Sequence, residues 1–397
     1  MSNDIVCSLA KTLRDYYGVA EGMIPLHAPC FDAQEKALVS ACIDSTFVSS
    51  VGEYVAQFEQ QVADFVGAPY GVAVVNGTAG LMLALRVVGV QPDDLVITQS
   101  LTFVATANAI SQLCATPLFL DVDRETMGLS AQALKTYLET QTEQKQGQCY
   151  DKSTGKRIAA CLPMHTLGMP CEIEQIVALC RAYHIPVIED AAESFGSKVG
   201  DRYTGTLGDM GVFSFNGNKI LTTGGGGVLV THNKMLAQQA KHLSTTAKKP
   251  HPWAFEHDAI AYNLRLPNLN AALGVAQMQK LPRFLEEKQQ IHQLYQNWVQ
   301  NWQKMPESPV LPGDLQLISA PHHTRPNYWL NGFLLSDQTE RDAWLQALNK
   351  AQIQARPLWT PLHQQSIYQG APRQALPNTE WLADRVINLP SGVRCTQ

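Results

Sequence analysis

The chain reads as an α/β protein: a doubly wound, mostly parallel sheet followed by a smaller C-terminal α/β unit. Three observations predict it. Between residues 72 and 189, short apolar runs alternate with amphipathic stretches of helical period. Residues 211–231, GVFSFNGNKILTTGGGGVLVT, place two strand-like runs on either side of one lysine and four glycines. From residue 270 the alternation stops, and a long helical stretch leads into a section rich in proline and tryptophan.

With 397 residues, 45% of them hydrophobic and 16% charged, the chain is long enough for one large and one small core. Its net charge of -5, with no basic cluster beyond Lys248-Lys249, argues against nucleic acid as a partner. No basic segment precedes an apolar core at the N-terminus, and no apolar run approaches the roughly 18 residues of a membrane span. A soluble, cytoplasmic protein with no membrane partner is expected. Nine cysteines include no CxxC pair, and eleven histidines form no HExxH pattern, so neither a metal nor a disulfide framework is expected.

Taken in order, residues 3–17 put Ile5, Leu9, Leu13 and Tyr16 on one helical face. Helices follow over 34–44 and 53–66, the second with Val55, Phe58, Val62 and Phe65 on one side. The hydroxyl-rich stretch between them, STFVSSVG, contains Ser49 and reads as a capping turn or a ligand loop. Strands are then expected over 72–75, 95–98, 118–120, 158–162 and 187–189, with helices over 78–88, 104–113, 130–140 and 172–183 between them. A helical stretch over 270–302 is punctuated by Pro282, and a strand over 329–335 and a helix over 340–350 follow. The expected division is a helical extension over 1–24, a large domain over 25–255 and a smaller one over 256–397.

In such sheets ligands collect beyond the carboxyl ends of the strands. Asn76, Gly77 and Thr78 follow the first strand and open a helix, offering backbone N–H groups and a hydroxyl to a phosphate; an ordinary N-cap at Thr78 is the competing reading. Phe103 could stack on a ring or belong to the core. Asp190 ends a strand and precedes small residues, where a carboxylate can hold a proton on a heterocyclic nitrogen or cap a helix. His165, just past another strand, could orient a cofactor or be a satisfied core histidine. Lys219, between two apolar runs, suits an amine nucleophile toward an aldehyde, with a surface lysine on a hairpin as the alternative. Gly224 to Gly227 would let the chain run tightly beneath a flat ligand.

A phosphate turn, a carboxylate at a strand end and a lysine before a glycine run, in that chain order, resemble the pyridoxal-phosphate enzymes of the aspartate-aminotransferase fold, fold type I. EDAAESFGS, GDMGVFSFNGNK followed by GGGG, and YNLRLPNLNAALG are similar to the DegT/DnrJ/StrS sugar aminotransferase family, and the likeness runs from about Pro25 to the end. PMHTLG, FNGNK, AAES and NYWLNGF look most like its legionaminic-acid branch, which aminates C4 of a UDP-linked 4-keto-6-deoxy-2-acetamido sugar.

The resemblance implies pyridoxal 5′-phosphate as cofactor. Lys219 would hold it covalently and carry the proton, Asp190 would pair with its ring nitrogen, and Gly77, Thr78 and Ser214 would bind its phosphate while Phe103 stacks on the ring. Glu193 would also meet the cofactor, although many members have glutamine or histidine there, and histidine at the place of Asn216. A carboxylate beside the phenolate oxygen is repelled unless it is protonated or turned away. The resemblance further implies glutamate as amino donor, a nucleotide-linked keto sugar as acceptor, ping-pong kinetics and a homodimer with shared active sites. Asn263 would reach the phosphate of the partner's cofactor, and Arg265, His165 and Ser49 would face the substrate. Related dehydratases carry histidine where this chain has Lys219, and a sugar-nucleotide sensor on the same fold would have lost Lys219 or Asp190; both residues favour an enzyme of amino transfer.

Overall fold

The computed structural model describes residues 3–304 and 315–395. Seven strands form its central sheet: β1 (Tyr70–Val74), β2 (Leu95–Gln99), β3 (Thr116–Leu120), β4 (Ile158–Leu162), β5 (Ile188–Asp190), β6 (Met210–Ser214) and β7 (Gly227–Thr231). Two ladders, β1-β7-β6-β5 and β4-β2-β3, are joined by parallel bridges from Cys161 to Val187 and from Met164 to Asp190. β2 runs parallel to both neighbours and β5 parallel to β6, while β7 is antiparallel to β1 and β6. The sheet is mostly parallel, as expected. β2, β4 and β7 are buried along their whole length, which is why they read as continuous apolar runs rather than as alternation.

The expected helix face of Val55, Phe58 and Val62 is buried on the helix Glu53–Val66. The Phe58 ring meets Phe215 edge-on at 5.1 Å, and Phe195 lies 4.9 Å from Phe213 and 5.2 Å from Phe215. Burial of each such ring contributes about 1.5–3 kcal/mol, so this cluster anchors the strand that leads into Lys219.

The helical stretch expected over 270–302 is two helices, Asn268–Met278 and Leu281–Gln303, with Pro282 in the first turn of the second. Proline has no N–H to donate, and in a first turn that N–H has no intrahelical acceptor, so the chain breaks just before it. Beyond lies a small antiparallel sheet in the order Gln316–Leu317, Asn331–Leu334, Val386–Leu389, Arg356–Pro357. The N-terminal helix Asn3–Tyr17 packs Ile5, Leu9 and Leu13 onto the core of this region, against Tyr295, Trp298, Phe333 and Trp344. Among the described residues no helix is long and apolar enough to cross a membrane, and no group of side chains could hold a metal ion.

Candidate active site

A cavity of about 620 Å³ opens at the carboxyl ends of β1, β5 and β6, and Gly77, Thr78, Phe103, Asp190, Glu193, Ser214 and Lys219 all line it. The small sheet and the segment before it supply the facing wall, with Trp329, Arg356, Trp359 and Asn388.

The helix Gly77–Val87 begins directly after β1 and is capped by Asn76, whose side chain accepts from the Ala79 N–H at 2.8 Å. Asn76 rather than Thr78 is therefore the N-cap. The Thr78 hydroxyl and the first-turn N–H groups of Gly77 and Thr78, which have no intrahelical acceptor, are left for an anion. A Cβ on Gly77 would lie 3.0 Å from Ser214 Cβ and 3.3 Å from its Oγ, so the turn and the end of β6 form a cradle that any side chain would fill. The glycine run behaves differently from the expectation. Gly224 takes φ of +78°, a Cβ on Gly227 would lie 3.0 Å from Gly77 N, and none of Gly224 to Gly227 lines the cavity. These glycines let chain pack on chain behind the anion turn, not beneath a flat ligand.

Asp190 ends β5, buried, with Oδ2 accepting from Thr106 Oγ1 at 2.8 Å and Oδ1 from the Ala192 N–H at 3.2 Å. Burial pushes its pKa up, and the Thr106 hydroxyl and Ala192 N–H pull against that shift. A cation placed opposite would stabilise its charged form, which is what a protonated ring nitrogen supplies.

Lys219 follows β6 in the loop to β7, its side chain 13% exposed. Nζ donates to Glu193 Oε1 at 3.2 Å and stands 4.0 Å from the centroid of the Trp329 indole. Trp329 is fixed in turn by its Nε1–H donating to Asn218 O at 2.7 Å. The amine is thus paired with a carboxylate as well as flanked by apolar surface, a partner that desolvation reasoning alone does not provide. Glu193 Oε2 accepts from the Leu167 N–H at 2.9 Å, and burial raises the Glu193 pKa. Asn216, exposed, bonds Asn218 and also lines the cavity.

Phe103 is 50% exposed and lies 6.4 Å from Trp359, a cavity aromatic rather than a core one. His165, expected toward a ligand, is not brought to the cavity: it is fully buried, with Nδ1 accepting from the Cys171 N–H and Nε2 bonded to Glu189 Oε2 at 2.9 Å. Ser49 does not line the cavity of this chain, and its carbonyl accepts from the Asn268 N–H. Asn263 and Arg265 do not line it either; Arg265 Nε donates to Asn263 Oδ1 at 2.9 Å on the outside of the chain, although Arg265 bridges to Val74, two residues before the Asn76 cap.

Residues that sequence reasoning passed over are Asn76 as the cap, Thr106 on Asp190, Trp329 on Lys219, Arg356 on the facing wall, and Glu189. Glu189 accepts four hydrogen bonds, from the N–H groups of Gly205, Leu207 and Gly208 and from His165. Thr106 carried a signal, being a hydroxyl in the first turn of the helix after a strand end; Trp329 lies in the NYWLNGF motif, but nothing in it points to Lys219, and Arg356 carried no signal, because the chain reaches both from a different part of the fold.

An anion cradle, a buried carboxylate at a strand end and a lysine on the loop after the next strand, all lining one cavity, match the phosphate, ring nitrogen and aldehyde of pyridoxal 5′-phosphate. Fold and site together define a pyridoxal-phosphate enzyme of fold type I. The chain belongs to the DegT/DnrJ/EryC1/StrS aminotransferase family, which it matches over residues 29–397. It is 35% identical over 368 residues to the GDP-perosamine synthase of Escherichia coli O157:H7, covering 93% of each chain. To the GDP-perosamine synthase of Vibrio cholerae it is 32% identical over 375 residues, covering 93% of this chain and 94% of the relative. The crystal structure of the aminotransferase TlmJ from Streptoalloteichus hindustanus superposes with a TM-score of 0.81 at 29% identity, over 93% of this chain and 94% of that one. The protein is an aminotransferase, and its cofactor is pyridoxal phosphate.

Proposed function

We propose that this aminotransferase moves the amino group of glutamate to C4 of a nucleotide-linked 4-keto-6-deoxy sugar, with UDP-2-acetamido-2,6-dideoxy-4-keto-hexose as the acceptor that its sequence variants favour. Its product would enter surface-glycan or nonulosonic acid assembly of the legionaminic kind. The observation that carries the reading is the meeting of Lys219, Asp190 and the Gly77–Ser214 cradle in one cavity. Gly77, Thr78 and Ser214 would hold the cofactor phosphate, Phe103 would face the ring, and Asp190 would keep the ring nitrogen protonated. The bound cofactor supplies an electron sink for the carbon that loses its proton. Lys219 would anchor it and, once freed, carry the proton between the donor's α-carbon and the cofactor carbon, with the reverse transfer in the half-reaction on the sugar; Trp329, which donates to Asn218 O, packs against its amine. Arg356, Trp359 and Asn388 on the facing wall offer a cation, a ring face and an amide to the sugar nucleotide.

The active sites are shared in a homodimer on this reading. Asn263 and Arg265 do not line their own cavity, and nearby segments expose Phe47, Val51, Trp253, Phe255 and Ile260, apolar area suited to a second copy. The test is a panel of UDP-, GDP- and dTDP-linked 4-keto sugars incubated with glutamate and the loaded enzyme. Amination of the UDP-linked acetamido sugar at the highest kcat/KM supports the proposal. Preference for a GDP-linked sugar, the chemistry in the names of the relatives above, would assign a different acceptor.

A further inference from the structure

Glu193 and Lys219 form an ion pair in the wall of the cavity. The carboxyl is 2% exposed, the amine 13%, and they stand 3.2 Å apart. The remaining donor to Glu193 is the Leu167 N–H, presented by a residue held at φ of +58°, a conformation a branched side chain adopts only under constraint. Asp190 is the other titratable group acting on Glu193; its oxygens are taken by Thr106 and Ala192, and it makes no hydrogen bond to Lys219. Beyond Glu193, Lys219 faces the indole of Trp329 and acts electrostatically on Asp190 and His27.

We propose that Glu193 is the base that takes the ammonium proton of Lys219, so that the neutral amine attacks the cofactor aldehyde without waiting for a base from solvent. In the transfer one N–H bond breaks and one O–H bond forms; in the attack that follows, a carbon–nitrogen double bond replaces the carbonyl, whose oxygen leaves as water with the amine's two protons, while Glu193 keeps the proton it took. The pair passes from one positive and one negative charge to none, so its net charge is zero before and after, and no lone ion is stranded in the cavity wall. Burial drives Glu193 toward the protonated form and the charge of Asp190 adds to it, against the pull of the Lys219 ammonium and the Leu167 N–H. The inference rests on the assignment of Lys219 as the anchoring lysine.

The experiment compares wild type with E193Q, which keeps the size and the acceptor oxygen but cannot take a proton. The rate at which cofactor-free protein captures pyridoxal 5′-phosphate is followed from pH 6 to pH 9, with adducts trapped by borohydride. Capture by E193Q should slow as the pH falls, because no carboxylate in the wall can take the proton, whereas wild-type capture should change much less over the same range. Affinity for pyridoxine 5′-phosphate, which has no aldehyde, should be unchanged between the two. Parallel pH profiles overturn the inference, as does an equal loss of pyridoxine 5′-phosphate binding, which would make Glu193 a binding group. Should E193Q not fold, infrared difference spectra of wild type with isotope-labelled glutamate serve instead: a protonated carboxyl band must appear on capture, and its absence refutes the proposal. A wild type that traps nothing on Lys219 overturns the anchor assignment itself, whereas a trapped adduct with an unaltered E193Q profile overturns the role of Glu193 alone.

Discussion

Replacing Glu189 by glutamine exchanges one carboxylate oxygen for an NH2 group of nearly the same size, at a position where both oxygens are fully used. Oε1 accepts from the Leu207 and Gly208 N–H groups, each at 2.7 Å, and Oε2 from the Gly205 N–H at 2.7 Å and from His165 Nε2 at 2.9 Å. His165 cannot turn acceptor toward it, because Nδ1 already accepts from the Cys171 N–H, which leaves the proton on Nε2. Whichever way the amide is turned, its NH2 end therefore faces two donors. Each buried donor left without an acceptor costs about 1–3 kcal/mol, so E189Q should lose about 2–6 kcal/mol, a large part of the roughly 5–15 kcal/mol of a typical domain. Urea unfolding of E189Q against wild type reads the loss, and amide hydrogen exchange at Gly205, Leu207 and Gly208 localises it. A midpoint equivalent to less than about 1 kcal/mol of change, with those amides still protected, would refute the reasoning.

Two further outcomes test the site. In D190N the neutral amide cannot compensate a ring cation, so turnover should fall by orders of magnitude while pyridoxal phosphate still binds through its phosphate; near-normal turnover would count against Asp190. Mixing inactive Lys219→Ala with inactive Asn263→Ala protein should restore activity once subunits exchange, because one site of each mixed dimer pairs an intact lysine with an intact partner asparagine. No recovery despite demonstrated exchange would mean that Asn263 serves its own chain.

The legible parts were those written in contiguous residues. Period-2 and period-3.6 patterns placed the sheet and its helices, and the turn at Asn76, the end of β5 and the Lys219 loop each carry their chemistry within a few residues. What escaped depended on which way side chains turn. Adjacent residues of a strand point to opposite faces, so Asp190 reaches Thr106 and the cavity while Glu189 reaches the loop over 205–208 on the other side. His165 follows β4, and of the two roles its sequence leaves open, ligand contact or satisfied core histidine, the structure has the second, its ring turned back to Glu189. The four glycines signalled close approach correctly, but nothing local says that the approaching surface is the Asn76–Gly77 turn. Trp329 illustrates the remaining kind of miss, a residue of the C-terminal region brought onto Lys219 only by the packing of the small sheet against the large one.

Lys219 as the residue that holds the cofactor is the center of this account, and peptide mapping tests it most directly. The protein loaded with pyridoxal phosphate is reduced with borohydride, digested and read by mass spectrometry. The added pyridoxyl mass should fall on Lys219, in the peptide that joins β6 to β7, and Lys219→Ala should carry no adduct while keeping the wild-type circular dichroism. An adduct on any other lysine, or none on the wild type, would contradict the account.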